Sequence, residues 1–307
     1  MTLRWLVALL LAALVPLAQA EPALRVLTTF SILQDFTAQI GGERVAVSTL
    51  VGPDEDAHAF DPRASDIRRL KDADLVIRNG LGFDPWIARM VAAARYAGPV
   101  VVASQDIAPL SAAHAEDDHA KAGHAHDHDA DVDPHAWLDV RNAMAYVRTI
   151  AAALAAADPA GTEHYQRNAL AYLARLDALD ATLKTTFATL PASRRTVVTP
   201  HDAFGYFARA YGLTFLAPAG LSNEAAPSAR AVAALIEQLR RLKVDRVFIE
   251  TLTDDRLIQR IGQETGARIG GSLHADALAR DGLASTYIGL MTHNLHALSA
   301  DPVPETR

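Results

Sequence analysis

The sequence predicts an α/β protein of two lobes, each a roughly four-stranded, mainly parallel sheet flanked by helices, joined by one long rigid helix. Short β-branched runs alternate with helical patterns in residues 24–104, and the same alternation returns in residues 196–272. Parallel neighbours need a crossover connection, usually a helix, so this alternation is typical of layered α/β domains. The third observation is a long helical tract between the two regions.

The first lobe, residues 21–160, contains four strand patterns separated by helical patterns. Its β-branched runs have the length of strands, and Gly41-Gly42 ends the first helical pattern. We predict strands at Leu24–Phe30, Val45–Val51, Leu75–Arg78 and Val100–Ser104, and helices at Ile32–Ile40, Ser65–Lys71 and Pro85–Tyr96.

A connecting helix over residues 161–190 follows an Ala-rich helix predicted at Asp139–Ala157. The helical pattern Thr162–Leu190 is 29 residues long, and Pro191 ends it. At about 1.5 Å per residue, such a helix spans roughly 40 Å, enough to run the length of a domain. Because a helix is a stiff connection, we expect limited hinge motion between the lobes.

The second lobe, residues 191–307, repeats the architecture of the first without a visible sequence repeat. The alternation of strands and helices again predicts parallel pairing. We predict strands at Thr196–Thr199, Leu213–Ala217, Arg246–Glu250 and Ala267–Ser272, and helices at Ala203–Tyr211, Ser228–Leu242 and Asp255–Thr265.

Residues 1–20 have the three parts of a cleavable secretory signal peptide. Arg4 supplies the positive charge, Leu6–Val15 is an apolar run, and Ala18-Gln19-Ala20 is a small-x-small cleavage site. The apolar run is too short for a membrane-spanning helix. We therefore expect an exported protein without a stable membrane anchor, located in the periplasm if the cell has two membranes.

The composition excludes several classes of protein. Of the 307 residues, 50% are hydrophobic and 21% are charged, which is the balance of a globular protein. The net charge of −7 argues against a nucleic-acid partner. The chain has twelve His and no Cys, so disulfides and thiolate zinc sites are excluded. Any metal must be bound by nitrogen and oxygen.

One segment, residues 111–133, does not fit a folded core. It combines five His with seven acidic residues and has almost no large apolar side chain, so we expect a mobile loop. Its histidines are His114, His119, His124, His126 and His128. We interpret them as auxiliary, low-affinity metal-capture residues. The alternative is a solvated insertion without a function of its own.

Four residues of metal-ligand type occupy suggestive positions outside this loop. His58 follows the second strand of the first lobe, and His201 follows the first strand of the second lobe. Asp276 follows the last strand, and His135 lies in a turn that leads into a helix. Ligands of open α/β sheets bind beyond the carboxyl ends of strands, so these side chains can face each other across a cleft.

Coordination chemistry explains why this set is of interest. Three imidazoles and one carboxylate complete the tetrahedral sphere of a zinc ion. Each ligating His also needs a partner for its other ring nitrogen, and Asp56, Asp139 and Asp202 lie near enough in sequence to serve. Spacing alone does not join the four residues, which are separated by 77, 66 and 75 positions. For each His, an ordinary hydrogen-bonded polar residue is the alternative.

The mature chain resembles the zinc/manganese solute-binding proteins of ABC importers, the ZnuA/TroA type of cluster A-I. The segments that carry the resemblance are, in order, GPDEDAHAFDPRASDIRRLKDADLVIRNGLGFDPW, DPHAWLD, VVTPHDAFGYFARAYGL, VFIETLTDD, and LHADAL through STYIGLMTHN. The resemblance implies that His58, His135 and His201 are metal ligands and that Asp276 is the acidic fourth ligand. It also implies a fold of two α/β lobes joined by one long helix.

The resemblance carries expectations about the surroundings of the site. Zinc members of the family often have a His- and acid-rich loop between the first two ligand motifs, where residues 111–133 fall. Some zinc members have a Glu directly before the first ligand, but this chain has Ala57, which makes Asp276 the better acidic ligand. Glu250 ends a predicted strand, and we expect it beside the ligands or in a structural role.

The expected function is the capture of Zn²⁺ in the periplasm and its delivery to the membrane subunits of an ABC permease. The protein is expected to be a monomer that carries out no chemistry, with a periplasmic zinc chaperone as a further partner. Nitrogen-rich ligation favours zinc, because manganese prefers more oxygen.

Three alternatives stay open at this point. A manganese-binding transport protein would have the same fold. A secreted zinc hydrolase would need an open coordination position and a general base, and neither HExxH nor G-x-S-x-G occurs in the chain. A metal-dependent adhesin is the third.

Overall fold

The computed structural model describes residues 23–111, 132–222 and 226–300 of the chain. It has the predicted α/β fold, with two lobes joined by one long helix. Within the described ranges, no helix is both long enough and apolar enough to cross a membrane. The predicted signal peptide, residues 1–20, lies outside them.

The first lobe is built on a four-stranded sheet in the order β2-β1-β3-β4, with every neighbouring pair parallel. Leu24 lies opposite Val45, and Val26 lies opposite Leu75, so β1 is central and its residues from Val26 onward are buried. The strands are β1 Leu24–Phe30, β2 Val45–Val51, β3 Leu75–Arg78 and β4 Val100–Val102; the helices between them are α1 Ser31–Gly41, α2 Ala64–Lys71 and α3 Trp86–Ala94.

A short antiparallel pair that the sequence did not predict follows this sheet. It consists of β5 (Leu110–Ser111) and β6 (Val132–Asp133), with Leu110 opposite Asp133. The pair joins the two ends of the segment 112–131. The loop histidines, His114, His119, His124, His126 and His128, lie outside the described residues.

The long helix α5 (Thr162–Ala188) connects the lobes. Helix α4 (Val140–Ala157) packs along it, and the 3-10 turn Pro159–Gly161 joins the two helices. Asp158 holds this turn, because its carboxylate accepts hydrogen bonds from the backbone of Gly161 and from the side chains of Arg44 and Tyr165. The division of the chain at residues 160 and 190 stays a prediction. The other 3-10 turns are Gly42–Arg44, Ala136–Leu138, Ala192–Arg194 and Leu283–Ser285.

The second lobe differs from the expectation in one respect. Its four described strands form two parallel pairs, β7 with β8 and β9 with β10, and β7 lies beside β9 without a regular hydrogen-bonded ladder in the described chain. Its strands are β7 Thr196–Val198, β8 Thr214–Leu216, β9 Arg246–Glu250 and β10 Arg268–Leu273; its helices are α6 Gly205–Tyr211, α7 Ala229–Leu242, α8 Arg256–Thr265 and α9 Tyr287–Ser299.

One apolar core extends through both lobes. Phe36 of α1, Trp137, Phe207 of α6 and Tyr287 of α9 all belong to the same buried cluster. A second, smaller cluster lies in the outer part of the second lobe, between its sheet and helices α7 and α8. Because the large core is shared, the lobes pack as one body around the cleft rather than as two independent units.

Candidate metal centre

The fold brings together the four ligand-type residues that the sequence singled out. One nitrogen or oxygen of each of His58, His135, His201 and Asp276 lies within 4.8 Å of the others. His135 and His201 have no exposed surface, Asp276 is 2% exposed, and His58 is half-buried. His58 is therefore the member of the group nearest to solvent.

Three of the facing pairs of atoms lie close enough to share one cation. His58 Nε2 lies 3.3 Å from His135 Nε2. The two oxygens of Asp276 lie 3.3 Å from His135 Nε2 and 3.3 Å from His201 Nε2. Ligand atoms about 2.1 Å from a tetrahedral zinc ion lie about 3.4 Å from each other, so the group is close to the size of such a site and would tighten slightly around the ion.

Two of the facing atoms have no hydrogen bond. His201 Nε2 and Asp276 Oδ1 are buried and have ionic contacts, but neither has a hydrogen-bond partner in the described structure. A buried polar atom without a hydrogen bond is destabilising unless it interacts with something else. A divalent cation at the centre of the group would satisfy both atoms.

The turn that carries His58 is fixed by two contacts to its backbone. Asp56 accepts a hydrogen bond from the His58 amide at 2.8 Å. The indole of Trp86 donates to the carbonyl oxygen of Ala57 at 3.1 Å. The ring of Phe83 packs edge-on against His58, with 4.7 Å between ring centres. Asp56 thus orients the His58 turn through its backbone.

His135 is oriented by a residue that the sequence analysis missed. Asp133 Oδ1 accepts the His135 amide at 2.9 Å and lies 2.8 Å from Nδ1, so Nδ1–H donates to it and Nε2 faces the centre. The signal was present as the spacing Asp-x-His, which occurs at Asp133 and His135 and again at Asp56 and His58. Such a turn lets the carboxylate cap the His amide.

His201 follows β7 and is oriented by Glu250, which ends the neighbouring strand β9. Nδ1 of His201 lies 2.5 Å from Glu250 Oε2, and its amide donates to Glu250 Oε1 at 3.4 Å. The side-by-side placement of β7 and β9 creates this contact. Glu250 therefore occupies the position beside a ligand that its place at the end of a strand suggested.

The two other predicted partners have different places. Asp139 caps helix α4, where its carboxylate accepts from the Arg141 amide at 2.8 Å. Asp202 is tied through its backbone amide to the carbonyl oxygen of Gly220 at 3.0 Å. Burial raises the pKa of Asp202, and the charge of Asp133 raises it further. Asp202 adds negative potential near the site without a described contact to a ligand ring.

The pKa values of the ligands describe a site prepared for a cation. Burial lowers the pKa of His58 to about 4. Burial also acts to lower the pKa of His135, but its hydrogen bond to Asp133 and the charges of Asp276 and Asp133 outweigh burial and raise that pKa to about 9. For His201, the charges of Glu250 and Asp276 outweigh burial and raise the pKa well above its usual value. The raised pKa values favour the protonated forms of His135 and His201 when no metal is bound.

Metal binding should therefore release about two protons near pH 7, one each from His135 and His201. A raised pKa means that the protonated form persists below it, so affinity should rise with pH by up to about 100-fold per unit and level off at the raised pKa values. His58 is already neutral in this range and contributes no proton. Calorimetric titrations in buffers of different ionisation enthalpy measure the number released. An affinity that does not change between about pH 6 and pH 8 would contradict the predicted protonation.

Replacing Asp133 by asparagine should weaken metal binding by about 10–100-fold, because the amide cannot stabilise His135 as a ligand as the carboxylate does. The matched control is Asp139→Asn, which changes a buried carboxylate of the same chain segment but keeps a good helix cap. We expect the control to bind with the affinity of the unaltered protein, measured by competition with a chromophoric chelator. If Asp133→Asn also binds metal with the affinity of the unaltered protein, Asp133 has no effect on the site.

Comparisons with known proteins give three findings. A family model described as zinc-uptake complex component A, periplasmic (ZnuA), matches residues 26–300. The chain is 33% identical over 274 residues to a manganese-binding lipoprotein, MntA, of Halalkalibacterium halodurans, covering 89% of this chain and 86% of that protein. It is 31% identical over 278 residues to the iron-binding protein YfeA of Yersinia pestis, covering 90% and 85%.

A solved structure is similar over nearly the same length. The periplasmic zinc binding protein TroA from Treponema pallidum superimposes with a TM-score of 0.80 at 29% identity, covering 91% of this chain and 98% of that one. The three proteins are named for three different metals. Their likeness supports a shared architecture and the handling of a divalent metal, and it leaves the metal itself to be argued from the site.

Proposed function

The chain belongs to the ZnuA family of metal-binding, non-enzymatic solute-binding proteins for ABC metal uptake, and from that premise we propose that it captures zinc with high affinity in the periplasm and delivers it to an ABC permease. His58, His135, His201 and Asp276 are the proposed ligands. The ion is the transported cargo, so the protein's task is to bind it, hold it and release it.

The observation that carries the proposal is the donor set. Three imidazole nitrogens and one carboxylate, the donors of a tetrahedral zinc site, converge within 4.8 Å of one another. Zinc accepts four nitrogen and oxygen ligands in this geometry, whereas manganese favours more oxygen donors and octahedral coordination. The buried position of three of the four ligands also suits a small, fully dehydrated ion.

A manganese-binding transport protein is the second candidate. It is favoured by the relative named as a manganese-binding lipoprotein. Asp276 presents both oxygens toward the group and could supply two oxygen donors to a larger ion. The three imidazoles weigh against this candidate, because nitrogen donors contribute less to manganese than to zinc.

The secreted hydrolase has less support than a transport role. A catalytic zinc keeps one position open for water. In this site four protein ligands surround the centre, and three of them are buried, so no such position is provided. The family consists of solute-binding components, in agreement with this argument.

The proposed partners and location follow from the same role. Export would depend on residues 1–20, and delivery requires the membrane subunits of a permease, with a periplasmic zinc chaperone as a further candidate. We retain the proposal that His114, His119, His124, His126 and His128 bind zinc weakly before it enters the cleft. Their segment begins and ends at the β5–β6 pair, whose Asp133 contacts His135.

Metal analysis of the purified protein tests the proposal. Protein produced in medium containing zinc and manganese should carry about one tightly bound zinc per chain, and crystals should show anomalous scattering at the zinc edge on the four ligands. Deletion of the gene should reduce zinc uptake, and the His58→Ala variant should not restore it. Tightly bound manganese in place of zinc would favour the second candidate. Turnover of ester, peptide or phosphate substrates would overturn the transport role.

A further inference from the structure

We infer that the four ligands are held unequally: His58, His135 and Asp276 form a three-ligand platform fixed to the first lobe, and His201 is the ligand that moves to capture and release the ion. The inference rests on the proposed function and adds how the ion enters and leaves. Asp276 follows a strand of the second lobe in the chain but belongs to the first lobe by its contacts.

The first of these contacts joins two ligand turns directly. The indole Nε1 of Trp137 donates to the carbonyl oxygen of Ala275 at 2.9 Å. Trp137 lies two residues after His135, and Ala275 directly precedes Asp276. Tyr287 donates its hydroxyl to the carbonyl oxygen of Trp137 at 2.7 Å and fixes the turn from its other side. One buried indole therefore links the turn that carries His135 to the loop that carries Asp276.

Further contacts hold the end of the loop that carries Asp276, residues 275–280, named here the Asp276 loop. The amide of Leu278 donates to Ser31 Oγ, at the start of α1, at 3.0 Å. The carbonyl oxygen of Leu278 accepts from the Asp54 amide at 2.9 Å. The Asp54 carboxylate accepts from the Arg280 amide at 3.1 Å. Asp54 has a φ of 59°, an unfavourable value for a residue with a Cβ, and these bonds hold it in that conformation.

Apolar packing agrees with the hydrogen bonds. Ala275 and Leu278 are each 4% exposed and belong to the large shared core. The Trp137 ring lies 4.9 Å from that of Phe30 and 4.7 Å from that of Phe83, both in the first lobe. Together with the bonds to Ser31 and Asp54, which follow β1 and β2, this packing places the Asp276 loop at the carboxyl ends of two first-lobe strands.

The main hydrogen-bond partners of the chain change just after His274. The backbone of His274 is bonded twice to Asn294 of α9, through its amide at 3.0 Å and its carbonyl oxygen at 2.8 Å. Beyond it, Ala275, Leu278 and Arg280 have hydrogen bonds to first-lobe residues, whereas the Ala279 amide donates to the carbonyl oxygen of Ala284 in the second lobe at 3.0 Å. Asp276 therefore stays with His58 and His135 if the second lobe shifts.

The turn that carries His201, residues 199–203, has second-lobe partners instead and is named the His201 turn. The amide of His201 donates a hydrogen bond to the carboxylate of Glu250 in β9, and the same carboxylate contacts His201 Nδ1. The Asp202 amide donates to Gly220 at 3.0 Å, in the chain that follows β8. Thr199 donates its hydroxyl to the carbonyl oxygen of His201 at 3.0 Å and closes the turn on itself.

Helix α6 limits how large this motion can be. Its Tyr206 and Tyr211 accept hydrogen bonds from the backbone of Leu110 and Val140 in the connecting regions. These anchors lie beyond the His201 turn, so the helix stays and the turn before it moves. The 3.3 Å contact between His201 Nε2 and Asp276 Oδ2 is where the two parts separate. Trp137 and Ser31 are then positioning residues for Asp276.

Hydrogen exchange of the full-length protein tests this assignment. In the metal-free protein, amides of the Asp276 loop should already be protected, and saturating Zn²⁺ should slow their exchange by less than about 2-fold. Peptides from the His201 turn should slow by about 10-fold or more on adding Zn²⁺. Equal slowing of both segments, or an Asp276 loop that is unprotected without metal, would overturn the inference. The metal-free measurement does not depend on zinc binding, so failure of the proposed function would be seen separately, as absence of zinc from the protein.

A pair of indole variants adds a second test. Trp137→Phe keeps an aromatic ring but removes the bond to Ala275, so exchange in the Asp276 loop should rise by about 3–10-fold in the metal-free protein, and zinc should now restore protection there. Trp86→Phe makes the same change at a bond within the first lobe and should leave the Asp276 loop unchanged. Zinc should also dissociate faster from Trp137→Phe than from the unaltered protein. An Asp276 loop that responds equally to both variants would show that Trp137 has no positioning role.

Discussion

Replacing His135 by alanine should lower zinc affinity by about 100–1,000-fold, which would be the largest loss that a single imidazole substitution causes in this protein. Zinc sites of four ligands are worth roughly 10–16 kcal/mol, so each ligand accounts for a few kcal/mol. His135 has more contacts to lose than its partners. It has no exposed surface and contacts Asp133, Asp276 and His58 together.

The matched control for this experiment is His296→Ala. His296 is exposed on helix α9 and its removal should leave affinity unchanged. Because His135→Ala also removes the ring that contacts the buried carboxylate of Asp133, circular dichroism and thermal unfolding should accompany the chelator competition. His135→Gln preserves a polar side chain in the same space and should lose zinc affinity while staying folded. Unchanged affinity in a folded His135→Gln protein would remove His135 from the ligand set.

Exchanging His201 for glutamate should shift the ratio of zinc to manganese affinity toward manganese by about 10–100-fold. The substitution replaces a nitrogen donor by oxygen in the ligand that we propose to be mobile. The structure adds a complication, because Nδ1 of His201 lies 2.5 Å from Glu250. A carboxylate at position 201 meets that carboxylate and also Asp276, and buried like charges repel strongly.

We therefore expect the double variant His201→Glu with Glu250→Gln to bind manganese more tightly than the single variant. Parallel titrations with zinc and manganese measure the ratio, and His296→Glu serves as the control for an added charge elsewhere. If the ratio is unchanged in both the single and the double variant, His201 is not a ligand.

The fold of the first lobe could be predicted well because its strands are β-branched runs of strand length that alternate with helical patterns. The runs at Leu24–Phe30 and Val45–Val51 become strands with the predicted bounds. The pairing of Leu110–Ser111 with Val132–Asp133 could not be predicted, since two-residue strands carry no periodicity. The division of the second-lobe strands into two pairs could not be predicted either, because a strand pattern does not show which strands form hydrogen bonds with each other.

The prediction of the metal site used different information from the prediction of the fold. Position at the ends of strands selected His58, His201 and Asp276, but only the resemblance joined them with His135 across long separations in sequence. Glu250 was expected beside the ligands because it ends a strand. Asp133 was missed because a residue two positions before His135 was treated as part of a motif rather than as a hydrogen-bond partner. The attachment of Asp276 to the first lobe depends on Trp137 and Ser31, contacts between distant parts of the chain that no local pattern encodes.

The pairing of Leu110 with Asp133 has a consequence for the evolution and engineering of this protein. Since the two ends of residues 112–131 meet in a hairpin base, the segment between them is a modular insertion. Shortening it to a tight turn should change the chain-closure free energy by only about 1–2 kcal/mol. The length and charge of this segment can therefore diverge between related proteins. The segment can also be exchanged in the laboratory for a sensor or a tag, because the hairpin base keeps Asp133 on the ring of His135.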